Sequence, residues 1–156
     1  MYSIWLIPQL NTRETKLPEG GHITLLTGIR LPKSRTLLIG QIFLEQLEQS
    51  PLTLLHTGYL ETYYNALFFE NESAQKINQW HEACSQLFDI EPLTPYLPQV
   101  SFLHSPYKGP DLETLYPEGP PLQLTIEKLI IVQHFSDTPS LQCIFEAPLN
   151  AAEVQG

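Results

Sequence analysis

Tyr2 to Ile7 is an apolar run that ends at Pro8, and it predicts a first strand. Residues 9–20 are polar, with Pro18 and Gly20, and predict a loop. Gly21 to Ile29 (GHITLLTGI) is apolar and β-branched, which predicts a second strand. Ser34 is a good helix N-cap. The stretch Arg35 to Glu48, rich in Leu, Ile, Glu and Gln, then predicts a fairly buried helix that ends before Pro51. Leu52 to Thr62 and Tyr63 to Phe69 read as two further strands. Asn71 is placed to cap a second helix, Glu72 to Phe88. Within it Ile77, Trp80, Cys84, Leu87 and Phe88 recur at spacings of three and four, so they share one face. Pro92, Pro95 and Pro98 stiffen the linker that follows, and Gln99 to His104 is a strand. Residues 106–121 hold five prolines and two glycines and predict a long loop, with one helical turn near Leu112 to Leu115. Long loops of this kind often carry function. Leu122 to Phe135 and Leu141 to Ala147 close the chain as strands.

Strands and helices do not alternate regularly in this order. The pattern fits an α+β domain with antiparallel sheets better than a doubly wound parallel sheet. The 156 residues suit one domain, 1–156, with no low-complexity segment and no linker that reads as a boundary.

Composition narrows the function. Hydrophobic residues make up 42%, enough for a core, and disorder is excluded. The formal net charge of −9 repels long nucleic acids, which reward clustered Lys and Arg. A small phosphorylated ligand stays compatible, because a few local donors can hold it inside an acidic protein. Cys84 and Cys143 make no disulfide framework and no CxxC pair, and they read as reduced, partly buried thiols. No metal-ligand spacing is present, so neither a metal nor another cofactor is expected. No run reaches membrane-spanning length. Met1 to Pro8 lacks a basic stretch and a cleavage site. A monomer in the cytosol is the expectation.

Two of the strands echo each other. His22-Ile23-Thr24-Leu25 matches Gln99-Val100-Ser101-Phe102 in the order polar, apolar, polar, apolar. Successive strand residues face opposite ways, so His22 and Thr24 share one face, and so do Gln99 and Ser101. Both pairs can line one cleft about an approximate two-fold axis. On pattern alone, two half-exposed strands with ordinary outward polar residues is the preferred reading.

The flanking residues shift that balance. Each strand resembles the paired motif of the two-histidine (2H) phosphoesterase superfamily, which reads His, any residue, Thr or Ser, then an apolar residue. Pro95-Tyr96-Leu97-Pro98-Gln99-Val100-Ser101-Phe102-Leu103-His104 resembles the second motif of its plant and yeast cyclic phosphodiesterases. Ser3 to Pro8 resembles the family's first strand, and the segment Tyr64 to Phe88 its approach to the second motif. Ile126 to Val132 with Ile144 to Leu149 resembles its final hairpin. The resemblance covers most of the chain. It implies two antiparallel sheets with outer helices, in a pseudo-two-fold bilobal arrangement around a central cleft. Two departures stand out. Only residues 9–20 separate the first strand from the first motif, where the family places a helix, so the first lobe is expected to be open or incomplete. The second histidine is replaced by Gln99.

The resemblance implies hydrolysis of small 2′,3′-cyclic nucleotides or of ADP-ribose cyclic phosphate, without a metal. One imidazole takes the proton of the attacking water and the other protonates the leaving ribose oxygen. Here His22 is the acid or the base, and Thr24 and Ser101 donate hydrogen bonds to phosphoryl oxygens. Gln99 can donate through its amide but cannot exchange a proton near neutral pH. A slow enzyme and a non-catalytic domain that binds a nucleotide or an RNA-end phosphate both follow from that. So does an interaction domain whose cleft has lost phosphate, which His22, Thr24 and Ser101 count against. Tyr107 and Lys108 follow the second motif and can bind substrate; Arg30 and Lys33 follow the first. An exposed loop residue is at least as good a reading of each of these four. His104 lies an odd number of residues from Gln99 and so is expected on the opposite face. His56, His81 and His134 read as packed or surface residues, and Trp5 and Trp80 as core.

Overall fold

The structure is a computed structural model. It describes residues 1–10, 21–47, 51–59, 65–102, 123–135 and 141–149. In chain order the elements are β1 (Tyr2–Leu10), β2 (Gly21–Ile29), α1 (Lys33–Gln46), β3 (Leu52–Tyr59), β4 (Asn65–Phe69), α2 (Asn71–Leu87), β5 (Gln99–Phe102), β6 (Gln123–His134) and β7 (Leu141–Pro148). The expected loop at 106–121 lies outside the described residues, as do 11–20 and residues 103 and 104 of the expected fifth strand.

Among the described residues every strand pairing is antiparallel. The strand order is β1-β2-β5-β4-β3-β6-β7, and β1 also pairs with β6, so six strands close a ring and β7 extends it. Two joins of the ring are brief. Among the described residues β2 meets β5 at Gly21↔Phe102 and His22↔Ser101, and β3 meets β6 at Leu52↔Leu124 and Thr53↔Gln123. The ring is thereby two antiparallel sheets, β2-β1-β6-β7 and β3-β4-β5, hinged at both edges. This is the α+β architecture expected.

Alternation along β1 and β6 decides which face is core. Ile4 pairs with Ile131 and Leu6 with Leu129, and all four are fully buried. The helices cover this face. At Gly40 a Cβ would stand 2.7 Å from Ile131 Cδ1, so a glycine lets α1 approach β6 closely. Ile77, Cys84 and Phe88 of the α2 segment join the same core. α1 and α2 both pack on this face, and residues 11–20, on which the expectation of an open or incomplete first lobe turns, lie outside the described residues. No helix among the described residues is long and apolar enough to cross a membrane.

Some local expectations also change. β1 does not stop at Pro8. It passes through an irregularity between Ile7 and Pro8, a place where a missing N–H is tolerated. Ser34 lies inside the first turn of α1, where Pro32 holds the cap position, and Thr36 Oγ1 donates back to the Pro32 carbonyl at 3.1 Å. The helix is only partly buried: Thr36, Gly40 and Phe43 face in, while Leu38 and Ile42 are exposed. Asn71 is the first residue of α2 and Glu70 takes the cap position. Ser73 Oγ accepts the Thr53 N–H at 2.8 Å, which ties α2 to β3.

On the other face of the first sheet, the buried Ser3 hydroxyl joins three strands. It lies 2.8 Å from Thr27 Oγ1 and 2.7 Å from His134 Nε2. Burial, and then the N-terminal ammonium, hold the His134 imidazole below its ordinary pKa. A depressed folded pKa means that the unfolded chain protonates first as pH falls. Stability is therefore complete above the usual imidazole range and declines as pH drops from about 7 toward about 5. Urea midpoints across that range should fall less in His134→Gln than in the wild type. Equal slopes would remove His134 from the account.

Candidate functional site

The short β2–β5 join brings the echoing motifs together. His22 stands directly across from Ser101. Continuing the register by two places sets Thr24 across from Gln99, on the same face. Ile23 and Val100 lie between them on the opposite face, both fully buried. A local two-fold axis between Ile23 and Val100 exchanges His22 with Gln99 and Thr24 with Ser101. All four polar residues line one cavity of about 450 Å³. His22 is 4% exposed and Ser101 7%, so these groups sit at the floor of the cavity and not on an open surface.

Two contacts set the orientation of the floor. The Trp5 ring stacks on the His22 imidazole, with centroids 3.9 Å apart and planes 15° from parallel. Trp5 pairs with Thr24 across β1 and β2, which puts it on the cavity face. It is half-buried and supports the histidine, and so it is not the core residue expected. Gln99 Nε2 donates to Ser101 Oγ at 3.2 Å. Accepting that bond leaves the serine its own O–H to donate.

A second set of bonds, from residues that also line the cavity, fixes β2. His81 of α2 is buried; its Nδ1–H donates to the Leu25 carbonyl at 2.7 Å and its Nε2 accepts the Leu93 N–H at 3.0 Å. A carbonyl only accepts and an amide only donates, so the partners fix the neutral Nδ1–H tautomer. The Tyr96 ring stacks on His81 at 4.0 Å, and its hydroxyl donates to the Thr24 carbonyl at 2.8 Å. Burial, and then the nearby Cys84, push the Tyr96 phenol well above its ordinary pKa, so it stays a donor. Burial likewise pushes the Cys84 thiol up, which keeps it protonated and inert. His81 is thus the packed residue expected, yet it also anchors the strand that carries His22 and Thr24. Its place at four-residue spacing from Ile77 is the sequence signal for an inward position.

Arg30 and Lys33 are exposed and do not line the cavity. Tyr107, Lys108 and His104 lie outside the described residues, as does the side chain of His56. His134 belongs to the Ser3 network and does not itself line the cavity, although Thr27 of that network does. Among the described residues no group of three or more His, Cys, Asp or Glu could hold a metal ion.

No family model matches the chain, and no curated protein matches it in sequence. Solved structures do match. A crystal structure described as a phosphoesterase superposes with a TM-score of 0.55 at 11% identity, over 95% of this chain and 97% of that one. E. coli LigT complexed with 3′-AMP gives a TM-score of 0.54 at 11% identity, over 95% and 96%. LigT in apo form gives 0.53 at 11% identity, over 95% and 98%. At this identity what is shared is the fold, and it is the fold implied by the resemblance to the two-histidine phosphoesterases.

Proposed function

We propose that this chain is a single-domain, monomeric, cytosolic phosphoesterase of the two-histidine type. In this reading it binds a small 2′,3′-cyclic nucleotide and opens it slowly to a ribose monophosphate. One observation carries the reading: His22, Thr24, Gln99 and Ser101, from strands distant in sequence, line one cavity about a local two-fold axis. LigT, which has the same fold, was solved with 3′-AMP, and that supports a small nucleotide as the ligand here.

Water attacks phosphorus and a ribose oxygen leaves. Thr24 and Ser101 donate to the phosphoryl oxygens as charge builds on them. His22 transfers one proton, as acid or base, with its ring plane held by Trp5. Gln99 can donate an amide hydrogen to the anion but cannot make the second transfer. Tyr107 and Lys108, which follow the second motif in sequence and lie outside the described residues, are the further substrate-binding residues of this reading. A binding domain without turnover is the second reading, and Gln99 at the position related by symmetry to His22 is what favours it.

Calorimetry with 2′-AMP tests both readings against a cleft that has lost phosphate. Wild type should bind, and Ser101→Ala should weaken binding by about tenfold, the scale of one lost hydrogen bond to a charged ligand. A folded wild-type protein that takes up no nucleotide would overturn the proposal.

A further inference from the structure

We propose that Thr27 is a further ligand-binding group of the cavity. Ser3 and His134 act behind it as positioning residues: when the imidazole is protonated, they turn the Thr27 hydroxyl toward the cavity as a donor. This rests on the reading of the four-residue floor as the phosphate end of the same cavity.

A bulge puts Thr27 there. Across β1 and β2, Ile4 pairs with Leu26 and Trp5 with Thr24, so one step of β1 spans two of β2 and Leu25 is the extra residue. Simple alternation from Thr24 would turn Thr27 to the core face. With the extra residue, Leu26 is buried beside Ile4, and the exposed Thr27 lines the cavity with His22 and Thr24.

Behind Thr27 the hydrogen bonds form a row. Ser3, 1% exposed, lies 2.8 Å from Thr27 Oγ1 and 2.7 Å from His134 Nε2. Ser3 has one hydroxyl hydrogen, so it donates along one of these contacts and accepts along the other. The row therefore has two directions. If Ser3 donates to His134, Thr27 donates to Ser3 and shows the cavity its lone pairs. If His134 donates to Ser3, Ser3 donates to Thr27, and the Thr27 O–H is released to the cavity. A neutral imidazole permits both through its two tautomers. An imidazolium has no free lone pair and permits only the second. An anion in the cavity favours that second direction, because both hydroxyl hydrogens then point toward it and the far end of the row is positive.

His134 is placed to gain and lose the proton. It is half-buried, and it lines a second cavity of about 510 Å³ with Tyr2 and Arg30. Among the described residues, the titratable and charged groups around it are the Met1 ammonium, the Tyr2 phenol of β1 and the Arg30 guanidinium just after β2. On the β7 side it pairs with Leu141. Burial, and then the ammonium, favour the neutral ring in the empty protein. A bound anion pulls the other way, so ligand and proton each strengthen the binding of the other by the same factor.

The test is an NMR pH titration of the His134 ring with and without saturating 2′,3′-cyclic AMP, whose phosphodiester keeps one charge throughout. The ligand should raise the midpoint by about 0.5, equivalent to about threefold in affinity. The rise should persist in Thr27→Ser. It should vanish in Thr27→Val and in Ser3→Ala, which cut the row at its end and at its middle and leave His134 in place. No rise in the wild type, or a rise that survives both cuts and so is charge acting through space, overturns the inference and leaves the phosphate floor intact. If the ligand moves none of His22, Thr24, Gln99 and Ser101 in a folded protein, the floor itself is misread and both proposals fall.

Discussion

Gln99→His should raise hydrolysis of 2′,3′-cyclic AMP by ~10²–10⁴-fold over the wild type, the usual contribution of one positioned acid or base. The expectation follows from the local two-fold axis. Gln99 occupies the place that the axis relates to His22, on the same face and around the same cavity. Strand β5 is paired on both sides there, to His22 through Ser101 and to Phe68 through Gln99 itself, so a histidine would enter a fixed backbone. An imidazole at that position also loses the amide bond to Ser101 Oγ, which a ring nitrogen can replace only in part. The gain should depend on His22: adding His22→Ala to Gln99→His should return turnover to the wild-type level or below. Equal rates for wild type and Gln99→His would mean that position 99 is not a proton-transfer position.

His81→Ala should destabilise the fold by about 3–5 kcal/mol. The side chain is buried and satisfies one backbone acceptor and one backbone donor, Leu25 C=O and Leu93 N–H. The Leu25 carbonyl left buried without a partner costs about 1–3 kcal/mol, and loss of the part-buried Leu93 N–H bond about 0.5–1.5 kcal/mol. The stacked Tyr96 ring loses a contact worth about 0.5–1.5 kcal/mol in addition. Urea unfolding should show a lower midpoint at an unchanged slope. His81→Gln, which keeps one donor and one acceptor, should recover part of the loss. Nucleotide affinity should also fall in His81→Ala under folding conditions, because both Leu93, which lines the cavity, and the strand bearing Thr24 lose their anchor. A loss of under about 1 kcal/mol would show that the two bonds are made equally well by water.

Much of this was legible in the sequence, and unevenly so. β2 has the bounds its composition predicts, because Gly21 to Ile29 is a β-branched run between a polar stretch and the proline at 32. The inward face of α2 was legible from its spacing. The caps were not. Ser34 and Asn71 have the right chemistry, but Pro32 and Glu70 take the extended conformations that start the helices. Ser73 spends its hydroxyl on β3, a partner no local pattern reveals. Alternation alone assigns His22 and Thr24 to one face and Gln99 and Ser101 to another. That the two faces are one surface depends on a two-residue pairing between distant strands, a tertiary fact. Trp5 was missed for a related reason. It is apolar in an apolar strand, and only the burial of Ile4 and Leu6 on either side turns it to the face that carries His22. Tyr96 could have been noticed as an aromatic ring set among prolines, but its bond to Thr24 could not.

In the proposed function one anion sits among His22, Thr24, Gln99 and Ser101. A site-resolved NMR titration of the wild-type protein with 2′-AMP tests it most directly. The His22 ring, the Gln99 side-chain amide and the backbone amides of Thr24 and Ser101 should shift together along one saturating curve. Saturable shifts confined to other residues, or none at these four in a folded protein, would contradict it.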